Sequence, residues 1–257
     1  MQTSPAVAGP VSFSKLCMSA IAVWFTFMPA ELWAGRPLDT EDTGTISPGS
    51  VELELSGDYA SSGAEHVWTA KGVVGVGLLP GLEARVESGL LMLQPEEVGA
   101  RGGLGDSVVG VKYRLLDEAE ALPALLGSLV LRLPTGDETR DLGAEGVDAT
   151  LLGVASKAFG PVTLTWNGGY TFVTHNRDLD TWILAGAIEY RATEAWTLVG
   201  EIFSVLGATQ VPDVATLRVG NVYAITDRVK LDAAIGFGLT RESPDVSATM
   251  GATIALF

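Results

Sequence analysis

The sequence predicts an all-β fold, a transmembrane antiparallel up-and-down β-barrel of about twelve strands, and three observations carry that prediction. From about Val51 to Phe257, short stretches alternate apolar and polar side chains and are broken by Gly, Pro and Asp. Successive side chains of a strand point to opposite faces, so each stretch gives one apolar and one polar surface. The mean hydropathy is +0.31, yet after the N-terminal region no run reaches the ~20 apolar residues of a spanning helix. A closed barrel reconciles the two, because hydrocarbon tolerates no open sheet edge. Tyr59, Trp68, Tyr113, Trp182, Tyr190, Trp196 and Tyr223 fall near expected strand ends, as two interfacial girdles require. The competing reading is a soluble sandwich with core aromatics at those positions.

Residues 1–34 read as a secretory leader. Lys15 supplies the positive charge, Leu16 to Met28 the apolar run, and Leu32-Trp33-Ala34 the cleavage site. The run is too short to span a bilayer, and Pro29 and Glu31 close it. Cys17 is the only cysteine and lies in this leader, where Leu16 stands in place of the small residue a lipid anchor needs. The mature chain then has no thiol, which excludes a disulfide framework, a cysteine nucleophile and a thiolate metal site. Residues 35–49 form a periplasmic N-terminal segment and 50–257 the barrel. Gly35 to Pro48 is either a partial plug in the barrel mouth or a solvated tail.

The strands follow in order. The first, Val51 to Tyr59, sets Val51, Leu53 and Leu55 against Glu52, Glu54 and Ser56. The second, Glu65 to Leu78, turns Trp68, Val74 and Val76 outward and Thr69 and Lys71 inward. After a Pro80-Gly81 turn, the third runs from Leu82 to Leu91 with Glu83, Arg85 and Glu87 on one face. Three charges at period two belong in a polar lumen, not in hydrocarbon. The fourth, Asp106 to Leu115, opposes Val109, Val111 and Tyr113 to Lys112 and Arg114; the fifth, Ala124 to Leu133, opposes Leu129 and Leu131 to Ser128 and Arg132. The long charged connection from Pro134 to Gly146 is placed on the extracellular side.

The sixth and seventh strands, Asp148 to Ser156 and Val162 to Phe172, are joined by a tight Phe159-Gly160-Pro161 turn. The seventh carries Leu164, Trp166, Tyr170 and Phe172 outward against Thr163, Thr165, Asn167 and Thr171. The eighth, Trp182 to Tyr190, shows the alternation best; Ala195 to Ser204 and Val214 to Ala224 follow. The eleventh, Val229 to Leu239, puts Leu231, Ile235 and Phe237 opposite Lys230 and Asp232. In the last, Val246 to Phe257, the pattern does not distinguish the two faces.

With 31 acidic and 16 basic residues the formal net charge is -15, which argues against a nucleic-acid partner, since phosphate binding needs clustered Lys and Arg. The lumen-lining candidates are Glu52, Glu54, Lys71, Glu83, Arg85, Glu87, Lys112, Arg114, Arg132, Glu189, Glu201, Arg218, Lys230 and Asp232. They carry both signs, which suits neutral, zwitterionic or weakly charged solutes. The same residues can instead pair across the lumen and plug it, leaving a structural or binding barrel. An outer-membrane lipid hydrolase is the enzymatic rival. Its base would be His66 or His175, both near strand ends on the extracellular side, with Asn176, Asp178 and Asp180 beside His175. No serine stands at a recognisable spacing, and His175, Asp178 and Asp180 lack a second nearby histidine for a metal site. No catalytic residue, metal or cofactor is assigned.

Several short stretches are familiar together. Arg36-Pro37-Leu38-Asp39-Thr40-Glu41-Asp42-Thr43-Gly44, Gly103-Leu104-Gly105-Asp106 leading into Gly110-Val111-Lys112-Tyr113-Arg114, Leu133-Pro134-Thr135-Gly136-Asp137, and Asn167-Gly168-Gly169-Tyr170-Thr171 occur in this order. They resemble the outer-membrane family named for a MetA pathway of phenol degradation, whose members are described as transporter-like barrels. The resemblance implies a Gram-negative outer-membrane location and a channel for passive passage of small, hydrophobic or aromatic solutes. Its partners would be outer-membrane lipid, the solute and the barrel-insertion machinery during biogenesis.

Overall fold

The computed structural model describes residues 35–95 and 99–257. The leader expected over residues 1–34, with Cys17, lies outside the described residues. Thirteen strands form the sheet: β1 (Val51–Ser62), β2 (Glu65–Leu79), β3 (Leu82–Gln94), β4 (Arg101–Leu104), β5 (Ser107–Leu116), β6 (Ala124–Leu133), β7 (Asp148–Phe159), β8 (Val162–Val173), β9 (Thr181–Arg191), β10 (Trp196–Gly207), β11 (Val214–Thr226), β12 (Val229–Gly238) and β13 (Val246–Ala255). All pairings are antiparallel, and β1 pairs with β13, which closes twelve strands into an up-and-down barrel. The twelve match the expected strands one for one.

The additional strand, β4, pairs Arg101–Leu104 with Leu90–Leu93 of β3, above the stretch of β3 that β5 occupies. β4 and β5 are one strand interrupted at Gly105-Asp106. Closure is completed where the chain ends meet: the Val51 N–H donates to the Phe257 carbonyl at 3.0 Å and the Leu256 N–H to the Val51 carbonyl at 2.8 Å.

One end of the barrel carries most of the tight turns and the other most of the longer connections, with the Gly63-Ala64 turn and the connection 117–123 as exceptions; these are the periplasmic and extracellular ends of an outer-membrane barrel. At the turn end Gly81 has φ +75, a left-handed conformation that a side chain disfavours. Outward faces form a continuous apolar belt: Leu55, Trp68, Val86, Leu129, Leu151, Trp166, Leu184, Ile202, Val219 and Ile235 are all 37% or more exposed. A soluble sandwich would bury them, so that reading fails.

The structure also resolves the last strand. Thr249 is buried and faces the interior, whereas Met250 is exposed, so Ser247, Thr249, Gly251 and Thr253 point inward and Ala248, Met250 and Ala252 outward.

Candidate functional site

The interior is organised by the N-terminal segment, residues 35–50, which runs along the inner wall at the turn end. Its contacts follow the barrel's own strand order. Arg36 donates to Asp232 of β12 at 2.9 Å and to Thr249 of β13 at 2.9 Å. Arg218 of β11 donates to the Pro37 carbonyl at 3.1 Å and pairs with Asp39 at 2.7 Å. Glu201 of β10 accepts the Asp39 N–H, the Thr40 N–H and the Thr40 hydroxyl at 2.6 to 3.0 Å. On β8, Asn167 accepts the Glu41 N–H at 2.7 Å and returns its own amide to the Glu41 carbonyl at 2.8 Å.

The chain then reaches the opposite wall. Lys112 of β5 pairs with Glu41 at 2.9 Å, and Arg114 donates to the Thr43 carbonyl at 2.9 Å and the Thr45 hydroxyl at 3.0 Å. The Ile46 N–H donates to Glu83 of β3 at 2.7 Å and the Gly49 N–H to the Gly77 carbonyl of β2 at 2.8 Å. At Gly77 the backbones touch: a Cβ there would stand 2.2 Å from the Ser47 carbonyl oxygen. Asp42 makes the bend, its carboxylate accepting the Gly44 N–H at 2.6 Å. Of the two readings of Gly35 to Pro48, the structure therefore shows a segment lodged in the barrel.

The fourteen charged residues singled out in the sequence do not all share one environment. Glu83, Arg85, Glu87, Lys112, Arg132, Glu201 and Asp232 are buried. Glu54 pairs with Arg85 at 3.1 Å, Arg218 with Asp39, and Lys71 with Asp58 at 3.3 Å. Arg132 pairs with Asp148 farther up the wall, near the loop end. Glu52, Glu189 and Lys230 sit near the turn-end rim, the first two half-buried and Lys230 exposed.

The inner wall is not uniformly charged, as a porin-like reading of the strands implies. Leu126, Leu152, Val154, Ile183, Phe203, Val205 and Val214 form a buried apolar strip spanning β6 to β11. Leu38 of the N-terminal segment packs on Ala187 and Val199 beside it. Ile183 shows why periodicity alone understates this strip: Trp182 and Leu184 flank it, so both faces read as apolar.

At the loop end the connection 134–147 folds back over the mouth. Asp106 accepts the Gly136 N–H at 3.0 Å and the Ala144 N–H at 2.8 Å, and the Ser107 N–H donates to the Thr135 hydroxyl at 2.8 Å. Leu142 is driven in against Val67 and Leu93. Two of the recurrent motifs, Gly-Leu-Gly-Asp and Leu-Pro-Thr-Gly-Asp, thus meet in one clamp. The others meet at the N-terminal segment. The sequence reading placed Asp106 at the start of the fourth strand, and its spacing from Gly136 gave no hint of contact.

The histidines are engaged elsewhere. His66 lies against Tyr59, whose hydroxyl is 2.9 Å from its Nδ1. His175 Nε2 is 3.9 Å from Glu145. Asp180 serves the loop: it accepts the Val173 N–H at 2.7 Å, the Tyr170 hydroxyl at 2.8 Å and Arg177. Burial pushes its carboxyl up, but those three donors hold it below the usual carboxylate range. Among the described residues no three or more His, Cys, Asp and Glu are grouped to hold a metal ion.

A closed barrel with an apolar belt, a charged and apolar interior and an inserted N-terminal segment defines an outer-membrane barrel of channel architecture. The chain belongs to the family described as "Putative MetA-pathway of phenol degradation", which it matches over residues 34–256. Its fold is similar to that of an outer-membrane channel from Pseudomonas putida F1, with a TM-score of 0.68 at 15% identity over 85% of this chain and 100% of that one. The NanC porin follows with 0.59 at 13% identity, covering 79% and 100%. A monoaromatic hydrocarbon channel, CymD, gives 0.50 at 9%, covering 81% and 89%. No curated protein sequence matches the chain.

Proposed function

We propose that this protein is an outer-membrane channel for passive passage of small hydrophobic or aromatic solutes, and that the fourteen charged residues named above line or frame its path. The observation that carries the reading is the apolar strip from Leu126 to Val214 on the inner wall beside the charged ring. Such a wall can desolvate an apolar solute while the charged groups hold the N-terminal segment in place. One protein of similar fold is a monoaromatic hydrocarbon channel. The histidines do not favour catalysis: His66 meets the Tyr59 hydroxyl, and the 3.9 Å between His175 and Glu145 is beyond hydrogen-bond reach.

A plugged structural or binding barrel is the second reading, and the lodged segment supports it. Planar-bilayer recording separates the two. The channel reading expects small unitary conductance from the intact mature chain and a severalfold larger one after deletion of residues 36–48. A bilayer that stays sealed with both proteins would establish the structural barrel instead.

A further inference from the structure

Five side chains at the turn end form a row of alternating charge. Glu54 of β1 pairs with Arg85 of β3 at 3.1 Å, Arg85 pairs with Glu83, Glu83 lies 3.9 Å from Lys112 of β5, and Lys112 pairs with Glu41 at 2.9 Å. All five side chains are 12% exposed or less. Three carboxylates against two cations leave the row one negative charge in excess, in a place where an uncompensated charge is costly.

The surroundings do not supply the missing cation. Asp42 stands next to Glu41 in the chain; Glu189 of β9 and Lys230 of β12 lie within electrostatic reach of Asp42, and Asn167 of β8 is neutral. Arg114 is turned to Thr43, Thr45 and Asp117, and Arg36 to Asp232. The deficit falls on Glu41. Glu83 is held by two cations, Arg85 and Lys112, and by the Ile46 N–H, whereas Glu41 ends the row with one cation, Lys112, and the Asp42 N–H at 3.1 Å.

We propose that the N-terminal segment is seated together with one proton, carried by Glu41, so that acid tightens its hold on the barrel wall and a rise through neutral pH loosens it. Burial supports the assignment, pushing the Glu41 carboxyl from 4.5 up to about 7 against the pull of Lys112 and Arg85. The sign follows from linkage. A carboxyl whose seated pKa exceeds its free value strengthens seating fully below the free value, and the gain disappears as pH rises through the seated one. Between pH 8 and pH 5 the seated-to-free ratio should rise roughly tenfold to hundredfold.

The test reads seating directly. The mature chain lacks Cys17, so nitroxides at Thr43→Cys and Glu194→Cys, the latter in the exposed turn after β9, report the distance between segment and barrel rim by pulsed EPR. In urea that leaves about half of the segment unseated at pH 8, lowering the pH to 5 should restore about nine-tenths or more to the seated distance. Glu41→Gln, permanently uncharged, should show equal populations at both pH values, and Lys112→Met should move the transition to higher pH. Heat-modifiable gel migration verifies that each barrel is folded. Equal wild-type populations at pH 5 and pH 8, or an unaltered pH response in Glu41→Gln, would overturn the proposal. Conductance does not enter this readout. A sealed bilayer with pH-dependent seating would refute the channel and leave the proton intact.

Discussion

At the turn end of the lumen, a segment attached to the barrel only through Val51 is held by charged side chains from strands all around the wall. At the loop end, a connection anchored in both β6 and β7 is held by the Asp106 carboxylate, the Ser107–Thr135 hydrogen bond, the Arg101–Asp141 ion pair and the apolar side chain of Leu142. The contrast lies in how each closure can fail. The N-terminal segment can leave the lumen without disturbing any strand pairing, and its attachments are hydrogen bonds, many to charged groups, together with ion pairs whose attraction is nearly offset by desolvation. The loop must move against two strands and loses backbone hydrogen bonds and buried apolar area when it does. The proposed pH response therefore acts at the turn end, while the loop end is the more rigid closure.

The substitution expected to break this contrast most strongly is Glu201→Ala. It removes the acceptor of the Asp39 and Thr40 N–H groups and of the Thr40 hydroxyl, and it leaves Arg218 with Asp39 and the Pro37 carbonyl. Hydrogen bonds to a charged group are worth about 1.5–3 kcal/mol each, so the loss of three should weaken seating by roughly 5–9 kcal/mol. A glutamate-specific protease should then cut after Glu41, which is 1% exposed when seated. Trypsin cleavage after Arg140 in the upper loop should not change. If both sites open together, the two ends are coupled and the contrast is wrong.

How much of this was legible in the sequence depends on the range of the interaction. The strands were legible because alternation is local: Glu83, Arg85 and Glu87 announce an inward face within five residues. β4 was not, since Arg101–Leu104 is too short and rich in glycine to alternate. The charged side chains of the site were legible as inward residues, but their partners were not. Asp232 gives no sign that it meets Arg36, 196 residues earlier. The recurrent motifs carried that information without explaining it, and the structure supplies the reason: each is one half of a clamp whose other half is distant.

The mirror experiment on the upper end is Asp106→Ala. Two backbone donors, from Gly136 and Ala144, lose their shared acceptor, at a cost of about 3–6 kcal/mol to the loop. Trypsin should now cut faster after Arg140 while the bond after Glu41 stays protected. Next in size is Gly77→Ala. Its Cβ would overlap the Ser47 carbonyl, and overpacking of this kind costs about 1–3 kcal/mol. The seated EPR distance should broaden without any change in barrel melting, because the added methyl meets the segment and not a neighbouring strand.

The smallest expected effect is also the sharpest probe of what holds the lower end. Arg114 donates Nε to the Thr43 carbonyl and Nη2 to the Thr45 hydroxyl, two neutral acceptors spaced to fit the planar fork of a guanidinium. In Arg114→Lys the positive charge remains but one point donor replaces two fixed ones, so a lost hydrogen bond of about 1 kcal/mol is the expected deficit. If charge alone retained the segment, the variant would be indistinguishable from wild type in its urea midpoint for unseating. If directional hydrogen bonds share the work, the midpoint falls by an amount that is the same at pH 5 and pH 8, since neither threonine group titrates. A deficit that appears only at pH 8 would instead mean that Arg114 helps neutralise the Glu41 carboxylate, and the row of alternating charge would have to be extended to include it.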